Sequence, residues 1–294
     1  MCKSLLSACL FVVPVVAHAD FTVEVDGNLG FGTLTYDSDL GDSDYDIETA
    51  AFAARAYLGR VNSDNYPFRE AGFLSKKSSI SLKRSTYQEE DTPKDIERNI
   101  TELSARVVLP NPNFILGAGV VRGDYNPSFG NNLDRDGYSV QLGAYVSDWG
   151  AFWIEHREAE IEFASPFDET ETSFVFKQIN KIGRVGHLVW MVKAGKSEEL
   201  SIIGQSDKRS VGGNVKWYFN QKFGVGGGLQ LDFYDAQILG DAVGAVFMPE
   251  ISYDFNENIG LFANLRSEAI IPDDSPTDLE VSNVLSVFGV TARF

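Results

Sequence analysis

The segment Phe223 to Tyr234, FGVGGGLQLDFY, alternates strictly along its length. Phe223, Val225, Gly227, Leu229, Leu231 and Phe233 share one face; Gly224, Gly226, Gly228, Gln230, Asp232 and Tyr234 share the other. A period of two belongs to a strand with one apolar and one polar side. The pattern recurs at Val211 to Phe219, Val243 to Phe255, Ile259 to Ala269, Gly137 to Ser147, Phe21 to Tyr36 and Ala50 to Val61. Little 3.6-residue periodicity competes with it, and no stretch after residue 19 is long and apolar enough for a membrane helix. The chain reads as all-β.

Alternation alone does not separate a soluble sandwich from a membrane barrel. Three further features do. The segments mostly run about 10 to 13 residues, longer than the usual strand and suited to a tilted bilayer crossing. Connections alternate in length: short turns at 110–113, 148–150, 220–222 and 256–258, and longer polar loops at 37–46, 89–98, 126–136, 197–207 and 271–282. Aromatics cluster beside the short turns (Phe114, Trp149, Phe152, Trp217, Phe219, Phe223, Tyr253, Phe255) and beside the long loops (Tyr36, Tyr87, Tyr125, Tyr138, Phe233, Tyr234). Two aromatic levels flanking apolar strand centres match the two interfaces of a bilayer.

About fourteen segments can be counted, near 21–36, 47–61, 71–88, 98–109, 114–125, 137–147, 151–163, 171–182, 185–196, 208–219, 223–236, 242–255, 258–270 and 283–294. The expected fold is a transmembrane antiparallel up-and-down β-barrel of about 14 strands, with 12 or 16 as alternatives and both chain ends on the short-turn side. Closure is a physical requirement, because lipid offers an open sheet edge no hydrogen-bond partners.

Residues 1–19, MCKSLLSACLFVVPVVAHA, have a basic start at Lys3, an apolar run and a small-x-small site at Ala17-His18-Ala19. They predict a signal peptide cleaved before Asp20, leaving 20–294 as a single barrel domain. Leu6-Ser7-Ala8-Cys9 resembles a lipoprotein cleavage box, but the apolar run before Cys9 is too short for one. Both cysteines, Cys2 and Cys9, fall in this segment, so no disulfide framework is expected. A net charge of −17 argues against a nucleic-acid partner.

With these features, and with a last strand ending on Phe294, the chain resembles the Gram-negative outer-membrane porins. The stretch Tyr66 to Leu74, YPFREAGFL, is similar to a segment of a general porin type. The resemblance implies residence in the cell outer membrane, contact with lipid and lipopolysaccharide, passage of small hydrophilic solutes and a homo-trimer or a monomer. It also implies that Phe288, Val290, Ala292 and Phe294 form the signal read by the outer-membrane barrel assembly machinery. Ala292 is smaller than the residue usual at its place.

If one face meets lipid, parity assigns the other to a lumen. That set contains Glu24, Asp26, Arg55, Lys83, Arg106, Lys193, Lys216, Asp232, Glu250, Asp254, Arg266, Glu268 and Arg293, with Asn214, Gln230, Asn264 and glycines between them. Such an interior suits a wet pore. Arg55, Lys83 and Arg106 come from strands two to four; Glu24, Asp26, Asp232, Glu250 and Asp254 come from strands one, eleven and twelve. They predict neighbouring arcs of opposite sign that set a transverse field across the lumen, against the simpler expectation that the charges pair with neighbours.

The loop 37–48, DSDLGDSDYDIE, is acidic but lacks the glycine and final glutamate of a calcium hand, and reads as solvated. No metal, cofactor or catalysis is expected. Of the histidines, His187 reads as a polar wall residue, and no Gly-x-Ser-x-Gly accompanies it. The rival functions are a lipid-modifying hydrolase and a non-conducting structural or adhesive barrel. Three places resist the register. In His156's segment, WIEHREAEIE, both faces are charged, which predicts a bulge, a strand leaving the membrane or a subunit contact. Pro249 predicts a bulge or an edge-like break in its strand. Lys76 and Lys77 interrupt the alternation of 62–80.

Overall fold

Fourteen antiparallel strands close on themselves in sequence order, with β1 against β14. The structure, a computed structural model, describes residues 20–294 except 38–40, 65, 91–95, 112, 127–132, 162–166, 202–203, 237–239 and 273–279. The expected signal peptide at 1–19 and Asp39 of the acidic loop lie outside the described residues. The strands are β1 Asp20–Asp37, β2 Ser43–Asn62, β3 Ser79–Glu90, β4 Ile96–Val108, β5 Phe114–Asn126, β6 Leu133–Ser147 and β7 Gly150–Ile161. They continue as β8 Phe167–Ile182, β9 Gly186–Ser201, β10 Gly204–Tyr218, β11 Phe223–Ala236, β12 Gly240–Asp254, β13 Ile259–Pro272 and β14 Glu280–Arg293. Closure leaves no unpaired edge, as a membrane wall requires.

The period-two pattern sorts the side chains. One parity is a band of exposed apolar groups, among them Leu29, Phe52, Leu103, Val120, Leu142, Phe247 and Phe288. Phe288 is 59 % exposed and Leu142 61 %. A water-facing protein rarely carries apolar patches beyond a few hundred Å²; a band running round a closed wall is a lipid-facing surface. The opposite parity points inward; it carries the charged and small residues, with apolar clusters toward the two ends. No helix among the described residues is long and apolar enough to cross a membrane.

The closing seam pairs Glu24 with Arg293 and runs to Asp37 with Glu280. Phe294 completes it: its N–H donates to the Val23 carbonyl at 2.8 Å, and the Val23 N–H donates back at 2.9 Å. On the other side of β1, its ladder with β2 has a register shift between Phe21 and Val23. It turns Phe21 inward, edge-on to Tyr57 at 5.7 Å.

Several local expectations are corrected. The third strand does not begin at 71: residues 68–74 are helical and the strand starts at Ser79. The stretch 197–207 is nearly all strand rather than loop. Around His156 the pairing with β6 and β8 runs without a bulge. His156 faces outward beside Thr172, Tyr138 and Glu158, where the outer face turns polar toward the long loops. At Pro249 the β12–β13 ladder skips from Phe247↔Ser267 to Glu250↔Asn264. The register is the same on both sides of the gap, so proline removes pairing without adding a residue.

The aromatic levels also differ from expectation. Tyr36, Tyr87 and Tyr234 point inward and pack with Leu34, Ile47, Ile270 and Val281 at the long-loop end. Tyr125 lies under the Arg98 guanidinium, 4.9 Å from its ring centre. Trp149 packs inside, edge-on to Tyr66 at 5.2 Å. The outward level beside the short turns is real: Trp217, Phe219 and Phe223 stack in series.

Candidate functional site

The connection from β2 to β3 emerges on the short-turn side, yet it is long enough to cross the barrel. Pro67 cannot extend a ladder, and the chain turns through a 3₁₀ turn at Phe68–Glu70 into α1, Ala71–Leu74. This short helix presents small and apolar groups to opposite walls. Ala71 packs with Phe21, Tyr57 and Val61 on β1 and β2. Leu74 packs with Ile179, Val189 and Tyr218 on β8, β9 and β10. Phe73 lies against the cluster of Ile115, Tyr145 and Ala151 on β5 to β7. Gly72 is required by its close approach: a Cβ there would stand 2.1 Å from the Tyr57 hydroxyl.

Polar anchors complete the crossing. Lys177 of β8 forms an ion pair with Glu70 at 2.7 Å, and the Tyr218 hydroxyl donates to Glu70 at 3.2 Å. Burial opposes ionisation of Glu70, but Lys177 outweighs it and holds the carboxyl below its ordinary range. Arg69 sits over the Phe262 ring at 4.3 Å and donates to Thr291 Oγ1 at 3.2 Å. The Tyr145 hydroxyl donates to the Phe73 carbonyl at 2.8 Å and accepts from Arg106 at 3.3 Å. The Gln221 side chain donates to the carbonyls of Ser63 and Asp64. Outside the spanning strands, Lys76 meets Asp148 at 2.8 Å, and that hydrogen bond lowers the Asp148 carboxyl. The connection 63–78 therefore lies inside the barrel at its short-turn end as a plug fastened to β1, β2, β5 to β10, β13 and β14. The broken alternation at Lys76 and Lys77 was the signal for it.

On the inner wall, Arg293 is 1 % exposed and joins Glu24 and Asp254, each at 3.0 Å. Asp26 accepts from Thr291 Oγ1 at 2.5 Å. Lys216 pairs with Glu250, Lys193 with Glu171 at 2.7 Å, and Arg266 with Glu268 at 2.9 Å. Asp232 accepts from Gln230 at 2.8 Å. Arg55 and Lys83 lie exposed on the inward parity of β2 and β3. Local pairing and separated arcs thus coexist. Basic side chains the sequence reading did not single out, Arg98, Arg135, Arg157, Lys177 and Lys208, extend the positive side from β4 to β10. Carboxylates dominate β11, β12 and β1. The same parity rule finds Arg135, Arg157 and Lys177 once the register is followed through 133–182, and Arg98 and Lys208 once β4 and β10 are followed to their long-loop ends.

His187 is 2 % exposed and stacks on Trp149, with ring centres 6.0 Å apart. In the long-loop half a cavity of about 160 Å³ opens between the inward faces of β6 to β11.

No known protein family matches the chain, and no curated protein sequence is similar to it. Its fold is similar to that of the Acinetobacter baumannii outer membrane protein Omp33, with a TM-score of 0.57 and 14% identity over 95% of this chain and 100% of that one. A bacterial polysaccharide outer membrane secretin gives a TM-score of 0.55 and 11% identity over 95% of this chain and 100% of that one. A Pseudomonas aeruginosa FadL homologue gives 0.56 and 9% over 94% and 90%. At these identities the likeness is one of fold.

Proposed function

We propose that this protein is a porin of a Gram-negative outer membrane, a passive channel for small hydrophilic solutes and ions whose short-turn mouth is controlled by the plug at 63–78. The observation that carries this is the inner wall. Charged and polar side chains line a closed barrel whose outer face is apolar, a combination suited to an aqueous path through lipid. The fold neighbours are outer-membrane proteins, which supports the location.

The finer reading is a weak cation bias set by the net charge of −17 and the acidic loop around Asp42, Asp44 and Asp46. Pore-lining roles go to Glu24, Asp26, Arg55, Lys83, Arg106, Lys193, Lys216, Asp232, Glu250, Asp254, Arg266 and Glu268. The acidic rim faces lipopolysaccharide, and the outward row Phe288, Val290, Ala292 and Phe294 is the contact for the assembly machinery.

The test is single-channel conductance of the refolded barrel beside a variant in which 64–76 is replaced by a short Gly-Ser turn. The expected result is small or intermittent current for the intact chain and a steady, larger current for the variant. A salt-gradient reversal potential reads the bias. If neither form conducts, the barrel is a structural wall and the channel reading falls.

A further inference from the structure

The apolar band on the outer wall differs in height around the barrel. On β11 the outward row is apolar or glycine from Phe223 through Val225, Leu229 and Leu231 to Phe233. On β12 it is apolar from Tyr253 through Ile251 and Phe247 to Val243. A strand rises about 3.3 Å per residue and tilts by about 40°, so each of these rows covers about 25 Å of height, that of a membrane band. On β3 the apolar outward residues are Ile80 and Leu82, and Arg84 follows; on β7 they are Phe152 and Ile154, and His156 follows. Thr101 of β4 and Thr172 of β8 continue this border: Arg84 pairs in register with Thr101, Thr101 with Arg122 of β5, and His156 with Thr172. The missing height lies at the long-loop end, where Thr86 and Gln88 follow Arg84, and Glu158 and Glu160 follow His156. From β3 to β8 the polar wall therefore begins about 10 to 15 Å lower than on β11 and β12.

An apolar stretch too short for the bilayer is accommodated by snorkelling, by oligomerisation or by thinning of the lipid. Arg84 and Arg122 are long enough to snorkel; Thr101, His156 and Thr172 are not. Charge disfavours a second copy. On the outward side of β5 to β8, Asp124, Asp134, Asp136, Glu158, Glu160 and Asp168 stand against Arg122 and His156, so two copies meeting through this face would oppose like charges. The groups at the border are met by one another at the surface: Arg122 joins Asp136 at 2.8 Å, the Tyr138 hydroxyl donates to Glu158 at 2.8 Å, and His156 Nδ1 lies 2.8 Å from Thr172 Oγ1. Hydrocarbon or a protein interface would strip the water from these pairs. A headgroup layer supplies water and counterions to them and to the carboxylates above. We propose that the β3–β8 face is a lipid-headgroup contact that thins the leaflet on the long-loop side, while β11 and β12 stand in bilayer of full thickness. This face concerns the outer wall alone and is independent of the channel reading.

Thr101 on β4, His156 on β7, Leu229 on β11 and Phe247 on β12 are outward and each six or seven residues from the short-turn end of its strand. Residues 20–294, which hold all the strands, contain no cysteine, so Thr101→Cys, His156→Cys, Leu229→Cys and Phe247→Cys each take a single spin label. The barrels are refolded into dioleoylphosphatidylcholine vesicles, with folding checked by heat-modifiable migration. Thr172→Cys stands in for either border position that fails this check. Each label is then read for collisions with oxygen, which concentrates in hydrocarbon, and with a water-soluble nickel chelate. Nickel should dominate at Thr101 and His156 and oxygen at Leu229 and Phe247, with oxygen-to-nickel ratios several-fold apart. An oxygen-rich reading at Thr101 or His156 would mean that hydrocarbon of full thickness reaches them, and would overturn the proposal. Low access to both probes at either position would do the same, since it marks a protein contact such as a second copy. A nickel-rich reading at Leu229 or Phe247 would also defeat it, because the band would then be low all round.

Discussion

Glu70, in the connection between β2 and β3, is ion-paired at 2.7 Å with Lys177 of β8, on the far side of the barrel. The pair ties the plug to a wall remote from its own attachment. Removing one partner of a buried pair leaves an uncompensated charge and costs about 3–5 kcal/mol. Lys177→Met should therefore loosen the plug, while the wall, held by its continuous ladders, stays folded. The expected outcome is a higher open fraction in single-channel records at unchanged thermal stability. Lys177→Met with Glu70→Leu should restore closure in part, because apolar contacts from Ala71 and Leu74 remain.

Acid should act on the same contact. The Glu70 carboxyl is held below its ordinary value in the folded state. A lowered carboxylate contributes in full above the unfolded value of about 4.3 and loses that contribution as pH falls through the lower folded value. Open probability should be flat from pH 8 to pH 5 and rise only as the pH drops below the ordinary carboxylate range. In Glu70→Gln that rise should be absent. A transition near neutrality in the wild type would contradict the assignment to Glu70.

Arg293 is buried between Glu24 and Asp254 and joins β14 to β1 and β12. Arg293→Met strands two carboxylates and should destabilise the barrel by about 3–5 kcal/mol in urea unfolding from lipid vesicles. Adding Glu24→Gln and Asp254→Asn should recover most of the loss. No change on the single substitution would mean that water solvates the cluster in the folded barrel.

Phe294 is outward, 38 % exposed, and fixed to β1 through its backbone. Phe294→Ser removes an aromatic ring from the lipid interface, a change of about 1.5–3 kcal/mol. That loss is modest against the whole wall, so refolding into vesicles should continue. If the ring is a recognition element, yield in the outer membrane of cells should fall far more than refolding does. Equal losses in the two measurements would assign Phe294 to interface anchoring alone.

The wall was legible in the sequence because its signal repeats: each strand alternates, and a lipid-facing side excludes polar groups at every second position. Parity placed Arg293, Asp254 and Lys216 on one face with no knowledge of their partners. Their pairing was not legible, since Lys216 and Glu250 lie on different strands and meet across β11. The plug escaped for a related reason. Phe73 and Leu74 are as apolar as any strand residue, and only tertiary contact with Tyr145 and Tyr218 shows that their burial is inside the barrel. Tyr36 and Tyr234 were assigned to an outer level from their place along the strand, while their parity already put them inside.

The opposed charge arcs give a prediction about selectivity, made in the plug-deleted barrel so that Arg106's link to Tyr145 and the plug does not confuse the readout. Arg55→Ala with Arg106→Ala removes two cations from the positive side of the lumen. At about 10 Å in water one charge contributes about 0.4 kcal/mol to an ion's energy, about a twofold change in relative permeability. Screening over a Debye length of about 10 Å cuts this to about 0.15 kcal/mol per charge in 0.1 M salt, so the cation preference from reversal potentials should rise about 1.3-fold to 1.7-fold. At 1 M the Debye length falls to about 3 Å and the difference should nearly vanish. An unchanged reversal potential in 0.1 M salt would show that ions do not pass near these residues, and the arcs would then serve only to hold the wall.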